Sequence, residues 1–203
     1  MIRNVVFDFG NVLAHVKRER IGEAFASHSP LSPEEILRRI FGTDLERKAE
    51  TGVWNSFEFF RGVQEAISGD PFWGYEEFVQ GYCSALEPSQ EGVEALRLAS
   101  REGRRVFVLS NTSYLHARWL FEQESLATIP EWHVFSFKVG LMKPDPGIWH
   151  YLCSHAGIEP ESTLYIDDLY ENCAVAGELG FSTLNNEPGR SDLVGEIETL
   201  LQG

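Results

Sequence analysis

Three stretches of this chain end an apolar run on side chains capable of chemistry, and a fourth stretch adds a cation. Val5-Val6-Phe7 runs into Asp8, then Phe9-Gly10-Asn11; Val106-Phe107-Val108-Leu109 runs into Ser110-Asn111-Thr112; Thr163-Leu164-Tyr165-Ile166 runs into Asp167-Asp168. Lys143-Pro144 supplies the cation, one of only four lysines in the chain, beside a proline that fixes the backbone. Asp167-Asp168 is the sharpest signal, because adjacent carboxylates repel each other unless a cation neutralises them. Oxygen-only donors suit Mg²⁺, which accepts one or two carboxylates and completes its shell with water and phosphate oxygens. The plainer alternative is a pair of solvated turn aspartates. Asn172, a helical turn further on, could orient one of the carboxylates by hydrogen bonding. Ser110, with the amides of Asn111 and Thr112 opening a helix, would make an anion cradle, or Ser110 would simply cap that helix. Lys143 would serve a phosphate as a point charge, or lie solvated at the surface. Asp8 alone could equally start a turn; its weight comes from the company at the other strand ends.

The elements that must carry these groups read as alternating strands and helices. Besides the three runs above, Phe181-Ser182-Thr183-Leu184 stops at Asn185-Asn186, and a weaker strand is expected over His133–Phe137. Helical spacing fills the segments between them: 92–101, 114–123, 148–156, 172–179 and a last helix over 192–201. Such alternation implies an α/β fold with a parallel sheet covered on both faces, whose ligands bind beyond the carboxyl ends of the strands. From about His15 to Ala85 the strand signals disappear. Ser32-Pro33-Glu34-Glu35 starts a helix as a capping box with proline at its first position. Asn55-Ser56-Phe57-Glu58 starts a second helix, and Glu76 to Leu86 reads as a third, ended by Pro88. The simplest account is a small helical module inserted after the first strand.

Composition narrows the function classes. In 203 residues, 31 acidic against 17 basic side chains leave a formal charge of −14. That field repels nucleic acid and anionic membranes, so neither is an expected partner, and a phosphate site needs its own local cations or amides. No apolar run is long enough for a membrane span. Asp8 interrupts the N-terminal apolar stretch where a signal peptide cannot tolerate charge, so a soluble cytoplasmic protein is expected. Three cysteines, Cys83, Cys153 and Cys173, without a Cys-x-x-Cys pair make a disulfide framework or structural zinc site an unsuitable reading.

Asp8-Phe9-Gly10-Asn11, Ser110, Lys143-Pro144 and Asp167-Asp168, in that order and at strand ends, resemble the four-motif set of the haloacid dehalogenase superfamily. The chain is similar to the bacterial sugar phosphatases of that superfamily that carry a helical cap, glucose-1-phosphate phosphatases among them. The resemblance implies a Rossmann-like parallel-sheet core over 1–14 and 87–203, with an α-helical cap over 15–86. It implies a Mg²⁺-dependent phosphatase acting on a small phosphorylated metabolite, plausibly a sugar phosphate. Asp8 would be the nucleophile that forms an aspartyl-phosphate. Ser110 and the Asn111 amide would bind the phosphoryl oxygens, and Lys143 would neutralise both Asp8 and phosphate. Asp8, the Gly10 carbonyl and Asp168 would ligate Mg²⁺, with Asp167 a direct or water-mediated ligand and Asn172 in support.

Gly10 departs from the commonest phosphatase pattern, in which the residue two after the nucleophile is an aspartate that protonates the leaving group. A general acid is worth roughly 10² to 10⁴ in rate. A good leaving group such as an anomeric hydroxyl would need none, which is the reading adopted; a cap residue or His15 could supply the proton instead, or turnover could be feeble. Cap candidates for specificity are Arg47, Lys48 and Glu50 before Gly52, then Trp54 and the aromatics Phe57, Phe59 and Phe60. Two alternatives remain open: a metal-independent 2-haloacid dehalogenase, which leaves Asp167-Asp168 unexplained, and a non-catalytic phosphate- or Mg²⁺-binding protein of the same fold.

Overall fold

In the computed structural model, which describes residues 1–187 and 192–202, the apolar runs become neighbouring strands of one sheet. In chain order the elements are β1 (Asn4–Phe7), β2 (Ala14–Val16), α1 (Glu19–Ala26), α2 (Pro33–Ile40), α3 (Asp44–Glu50), α4 (Ser56–Ala66), α5 (Tyr75–Cys83), β3 (Leu86–Pro88) and α6 (Gln90–Arg101). There follow β4 (Arg105–Ser110), α7 (Tyr114–Phe121), α8 (Glu124–Thr128), β5 (Trp132–Phe135), α9 (Ser136–Val139), α10 (Gly147–Ala156), β6 (Thr163–Asp167), α11 (Tyr170–Glu178), β7 (Ser182–Asn185) and α12 (Leu193–Gln202). The five-stranded sheet runs β5-β4-β1-β6-β7, all parallel, with β1 at its centre.

Strand periodicity divides the core. Val5, Phe7, Val108 and Ile166 join one apolar cluster, whereas Val6, Phe107, Leu109 and Tyr165 join another, as alternation across a sheet buried on both faces requires. Register then aligns the strand ends: Phe7 lies opposite Val108 on one side and Ile166 on the other. The next residues along these three strands include Asp8, Leu109 and Asp167, so the polar ends emerge together at one sheet edge.

The segment between β2 and β3 is helical and has its own apolar cluster, centred on Phe25, Phe59, Phe60, Trp73, Phe78 and Tyr82. Leu115 of α7 belongs to that same cluster, which ties the helical segment to the sheet-bearing part. Ser32 caps α2 by accepting from the Glu35 amide, and Asn55 and Glu58 complete a reciprocal capping box at α4.

Four details differ from the sequence reading. The weaker strand stops at Phe135: the Ser136 hydroxyl bonds the Thr112 amide and carbonyl, and the chain turns into α9, closed by left-handed Gly140. The third expected helix ends at Cys83, and Leu86–Pro88 instead pairs antiparallel with Ala14–Val16. Ser113, not Ser110, caps the helix after β4; Ser110 ends the strand, and Asn111 and Thr112 form the connection before the cap. Helices α1 and α3 carry no signal singled out in the sequence; α1 lacks a side-chain N-cap and α3 is short and highly charged.

Candidate active site

Lys143 is the hub of the sheet edge. Its ammonium donates to Asp8 Oδ1 at 2.6 Å, to Asp167 Oδ2 at 2.7 Å and to the Leu109 carbonyl at 3.1 Å. Ammonium and aspartates are both buried, so these are charge-assisted bonds in a low-dielectric setting. The lysine is placed by Asn111, whose side-chain amide donates to the Lys143 carbonyl and accepts from its N–H, both at 2.8 Å. Asp8 itself is anchored by its N–H, which donates to the Ile166 carbonyl at 2.8 Å.

The two adjacent aspartates have different environments. Asp167 is fully buried and accepts from Lys143, the Tyr165 hydroxyl, the Leu169 amide at 2.9 Å and the Asn172 side chain at 3.0 and 3.1 Å. Asp168 accepts from the Asn11 side chain at 2.9 Å and lines the cavity described below. Asn11 adopts a left-handed backbone at φ 54°, which asparagine tolerates better than most residues, and its side-chain oxygen accepts from the Val16 amide at 3.2 Å.

Charge is unbalanced here. Carboxylate oxygens of Asp8, Asp167 and Asp168 lie within 4.8 Å of one another, against the single ammonium of Lys143. Burial works against ionised Asp167, but Lys143 and the bonds from Tyr165 and Leu169 hold its carboxyl below the usual range. Burial pushes Asp8 up to about 7, with Asp167 and Asp168 adding to the rise and Lys143 opposing it. Asp168 is also raised, chiefly by burial. Lys143 remains charged because its two aspartate partners outweigh its own burial. Asp167 is thus the settled counter-ion of the lysine, while Asp8 and Asp168 are short of positive charge. A hard divalent cation with oxygen ligands fits that donor set.

A cavity of about 490 Å³ opens above this edge. The sheet side contributes Asp8, Gly10, Asn111, Lys143, Asp168 and Asn172, and the helical segment contributes Arg18, Phe41, Glu46, Glu50 and Tyr82. Ser110 ends β4, is buried, and its hydroxyl donates to the Asn111 carbonyl at 3.3 Å. His116 of α7 also lines the space, its ring stacked on Tyr82 with centroids 4.3 Å apart. Burial drives the His116 pKa down to about 4, and burial raises the Tyr82 hydroxyl far above its ordinary range, so both are neutral. Glu46 accepts from Arg18 at 3.2 Å and from the Gly42 amide at 2.7 Å.

Among the cap candidates read from the sequence, Glu50 reaches this cavity. Arg47 and Lys48 pair with Asp44, Lys48 also lying over the Trp54 ring. Phe59 and Phe60 belong to the helical segment's own core, Phe57 is exposed, and His15 sits exposed on β2. The sequence reading missed the Asn111 clamp, the Tyr165 bond to Asp167, and Arg18, Glu46, Tyr82 and His116. Tyr165 had a usable signal, because two residues along a strand place it on the same face as Asp167. The clamp and the cavity wall depend on contacts between segments far apart in the chain.

A family model described as haloacid dehalogenase-like hydrolase matches residues 2–180. The chain is 26% identical over 195 residues to a D-ribitol-5-phosphate phosphatase of Bacteroides thetaiotaomicron, covering 93% of this chain and 94% of that protein. Among solved structures it resembles a HAD family enzyme of the same organism in complex with magnesium and inorganic phosphate, with TM-score 0.81, 28% identity, and coverage of 94% and 97% of the two chains. A HAD-like family hydrolase of Porphyromonas gingivalis aligns with TM-score 0.86 and 28% identity over 100% of this chain and 99% of that one.

Proposed function

The chain belongs to the haloacid dehalogenase-like hydrolases, and we propose that it is a Mg²⁺-dependent phosphatase of a small, uncharged-tailed phosphate ester such as a sugar or polyol phosphate. The observation that carries this reading is the charge deficit: three carboxylates within 4.8 Å of one another share one lysine at the edge of a cavity. Bound at this cluster, one divalent cation would bring it to neutrality. Asp8, Asp168 and the Gly10 carbonyl are the groups proposed to hold the ion, with Asp167 acting through Lys143 rather than as a direct ligand because its own oxygens are already occupied. When bound, the ion supplies charge to orient and neutralise the phosphoryl oxygens.

The remaining work falls to the chain's own side chains. Asp8 attacks phosphorus in line and forms the aspartyl-phosphate as the ester oxygen departs; water then hydrolyses that intermediate. Lys143, pinned by the Asn111 clamp, neutralises charge on both Asp8 and the transferring group without reorganising. Ser110 and the Asn111 amide stand at the carboxyl end of β4, where the phosphoryl oxygens would lie. We take 1–14 and 87–203 as the catalytic core and 15–86 as the cap, acting in the cytoplasm.

The cap-side wall favours an uncharged hydroxylated leaving group. Its Glu46 is matched by Arg18, and Tyr82 and His116 are neutral. The D-ribitol-5-phosphate phosphatase relative agrees with such a tail. A dehalogenase needs no metal and leaves the carboxylate cluster without a purpose. The test is phosphate release across polyol phosphates, sugar phosphates, nucleotides and 2-haloacids, with Mg²⁺ or with excess EDTA. Release from polyol or sugar phosphates that EDTA abolishes is expected; halide release that survives EDTA would contradict the reading.

A further inference from the structure

The residue two after the proposed nucleophile, Gly10, has no proton to give, although no backbone crowding demands a glycine there: a Cβ at Gly10 would meet only Val16 at 3.6 Å and Asp8 at 4.0 Å. Something else in the cavity must protonate a poor leaving group or the reaction is confined to good ones. Glu50 is the last residue of α3 and lines the same cavity as Asp8 and Lys143. Its carboxyl makes no hydrogen bond or ion pair with any described residue, unlike Glu46 one turn earlier.

The backbone beyond Glu50 explains why it stays there. Thr51 and Gly52 close α3 onto the carbonyls of Arg47 and Ala49, with Gly52 left-handed at φ 71°. Gly52 sits so close to α9 that a Cβ would fall 2.1 Å from the Phe137 carbonyl oxygen. Only glycine permits both the dihedral and the approach. This contact docks the end of α3 on the core, next to the loop that leads to Lys143.

Resting on the phosphatase reading above, we propose that Glu50, held in the cavity by the Gly52–Phe137 contact, is the catalytic proton donor to the leaving-group oxygen, doing the work that position 10 cannot. The ester P–O bond breaks as the Asp8 oxygen bonds to phosphorus; the electron pair stays on the leaving oxygen, and the Glu50 proton passes to it, releasing a neutral alcohol. Glu50, now a carboxylate, takes a proton from the water that attacks the aspartyl-phosphate. That step breaks the P–O bond to Asp8 and restores both carboxyl groups.

The surroundings keep Glu50 protonated until it is needed. Burial, the neighbouring Glu46 and the Asp8 carboxylate raise its pKa to about 8, against the pull of Arg18 and Lys143. Tyr82 and His116, which complete the wall, are neutral and do not compete for the proton. A carboxyl raised in this way can donate a proton at neutral pH and loses that capacity as the pH rises through its pKa.

The test compares kcat/KM, which reports the step in which the alcohol leaves, for ribitol 5-phosphate and p-nitrophenyl phosphate with Mg²⁺ present. Nitrophenolate departs without a proton. Glu50→Gln should lower kcat/KM for the alkyl ester by roughly 10²-fold or more while changing the aryl ester less than about threefold, which also shows that the variant is folded. In the unaltered protein, the alkyl-to-aryl ratio should fall as the pH rises through the Glu50 pKa, a readout that needs no variant and cancels the ionisation common to both esters. Equal losses for the two esters in Glu50→Gln, or a ratio independent of pH, would overturn the assignment while leaving the phosphatase reading intact. Release of phosphate from neither ester by the unaltered protein would overturn both.

Discussion

At the scale of residues, the site is a contest over one proton-rich ammonium. Lys143 bonds Asp8 and Asp167 almost equally closely, yet Asp167 gathers three further donors and Asp8 none from side chains. The asymmetry assigns the stable ion pair to Lys143–Asp167 and leaves Asp8 the less fully neutralised of the two. Removing the charge of Asp8 should therefore end turnover without harming the fold. Asp8→Asn is expected to release no phosphate above background, while its metal-free melting temperature equals or exceeds that of the unaltered protein, because a buried, under-neutralised carboxylate has been removed. Retained phosphate release would place the nucleophile elsewhere. The residue types and their order were readable in the sequence because Ser110 and Asp167 end apolar strands and Asp8 directly follows one. Their partners were not: Asn111 clamps a lysine 32 positions away, a pairing set by tertiary contact.

At the scale of elements, the parallel strands bring distant motifs to one edge and the short β2–β3 ribbon carries the chain to and from the helical segment. Periodicity exposed the sheet strands, since buried runs bounded by polar ends are locally encoded. It failed at Leu86–Pro88, where three residues continue a helical-looking stretch and become a strand only through pairing with Ala14–Val16. It failed too at α3, whose Asp44–Glu50 sequence reads as a solvated charged run although its last residue enters the cavity. The contact between α3 and α9 gives this scale its own prediction. Gly52→Ala forces a Cβ against the Phe137 carbonyl at a left-handed position; the dihedral alone costs about 1–3 kcal/mol, and the overlap cannot be accommodated with the turn held in place. The turn should lift instead, so alkyl phosphate turnover is expected to drop at least tenfold while urea denaturation shows only that modest loss. Unchanged turnover would mean that the docking of α3 does not position the cap.

At the scale of the whole molecule, a formal charge of −14 draws divalent cations and repels phosphate esters. The local site must reverse that field, and a single lysine facing three aspartates cannot do so alone. Burial raises the Asp8 and Asp168 pKa values, and the neighbouring carboxylates add to the rise. The parallel sheet, the helical segment and the cavity between them hold this cluster together. Calorimetric titration of Mg²⁺ at neutral pH, with enough monovalent salt to screen the general acidic surface, measures that directly. One ion per chain should bind to the unaltered protein, and Asp168→Asn should weaken that binding at least tenfold. Equal affinity in the two proteins, or no saturable binding in either, would contradict the assembly of Asp8 and Asp168 around a shared ion.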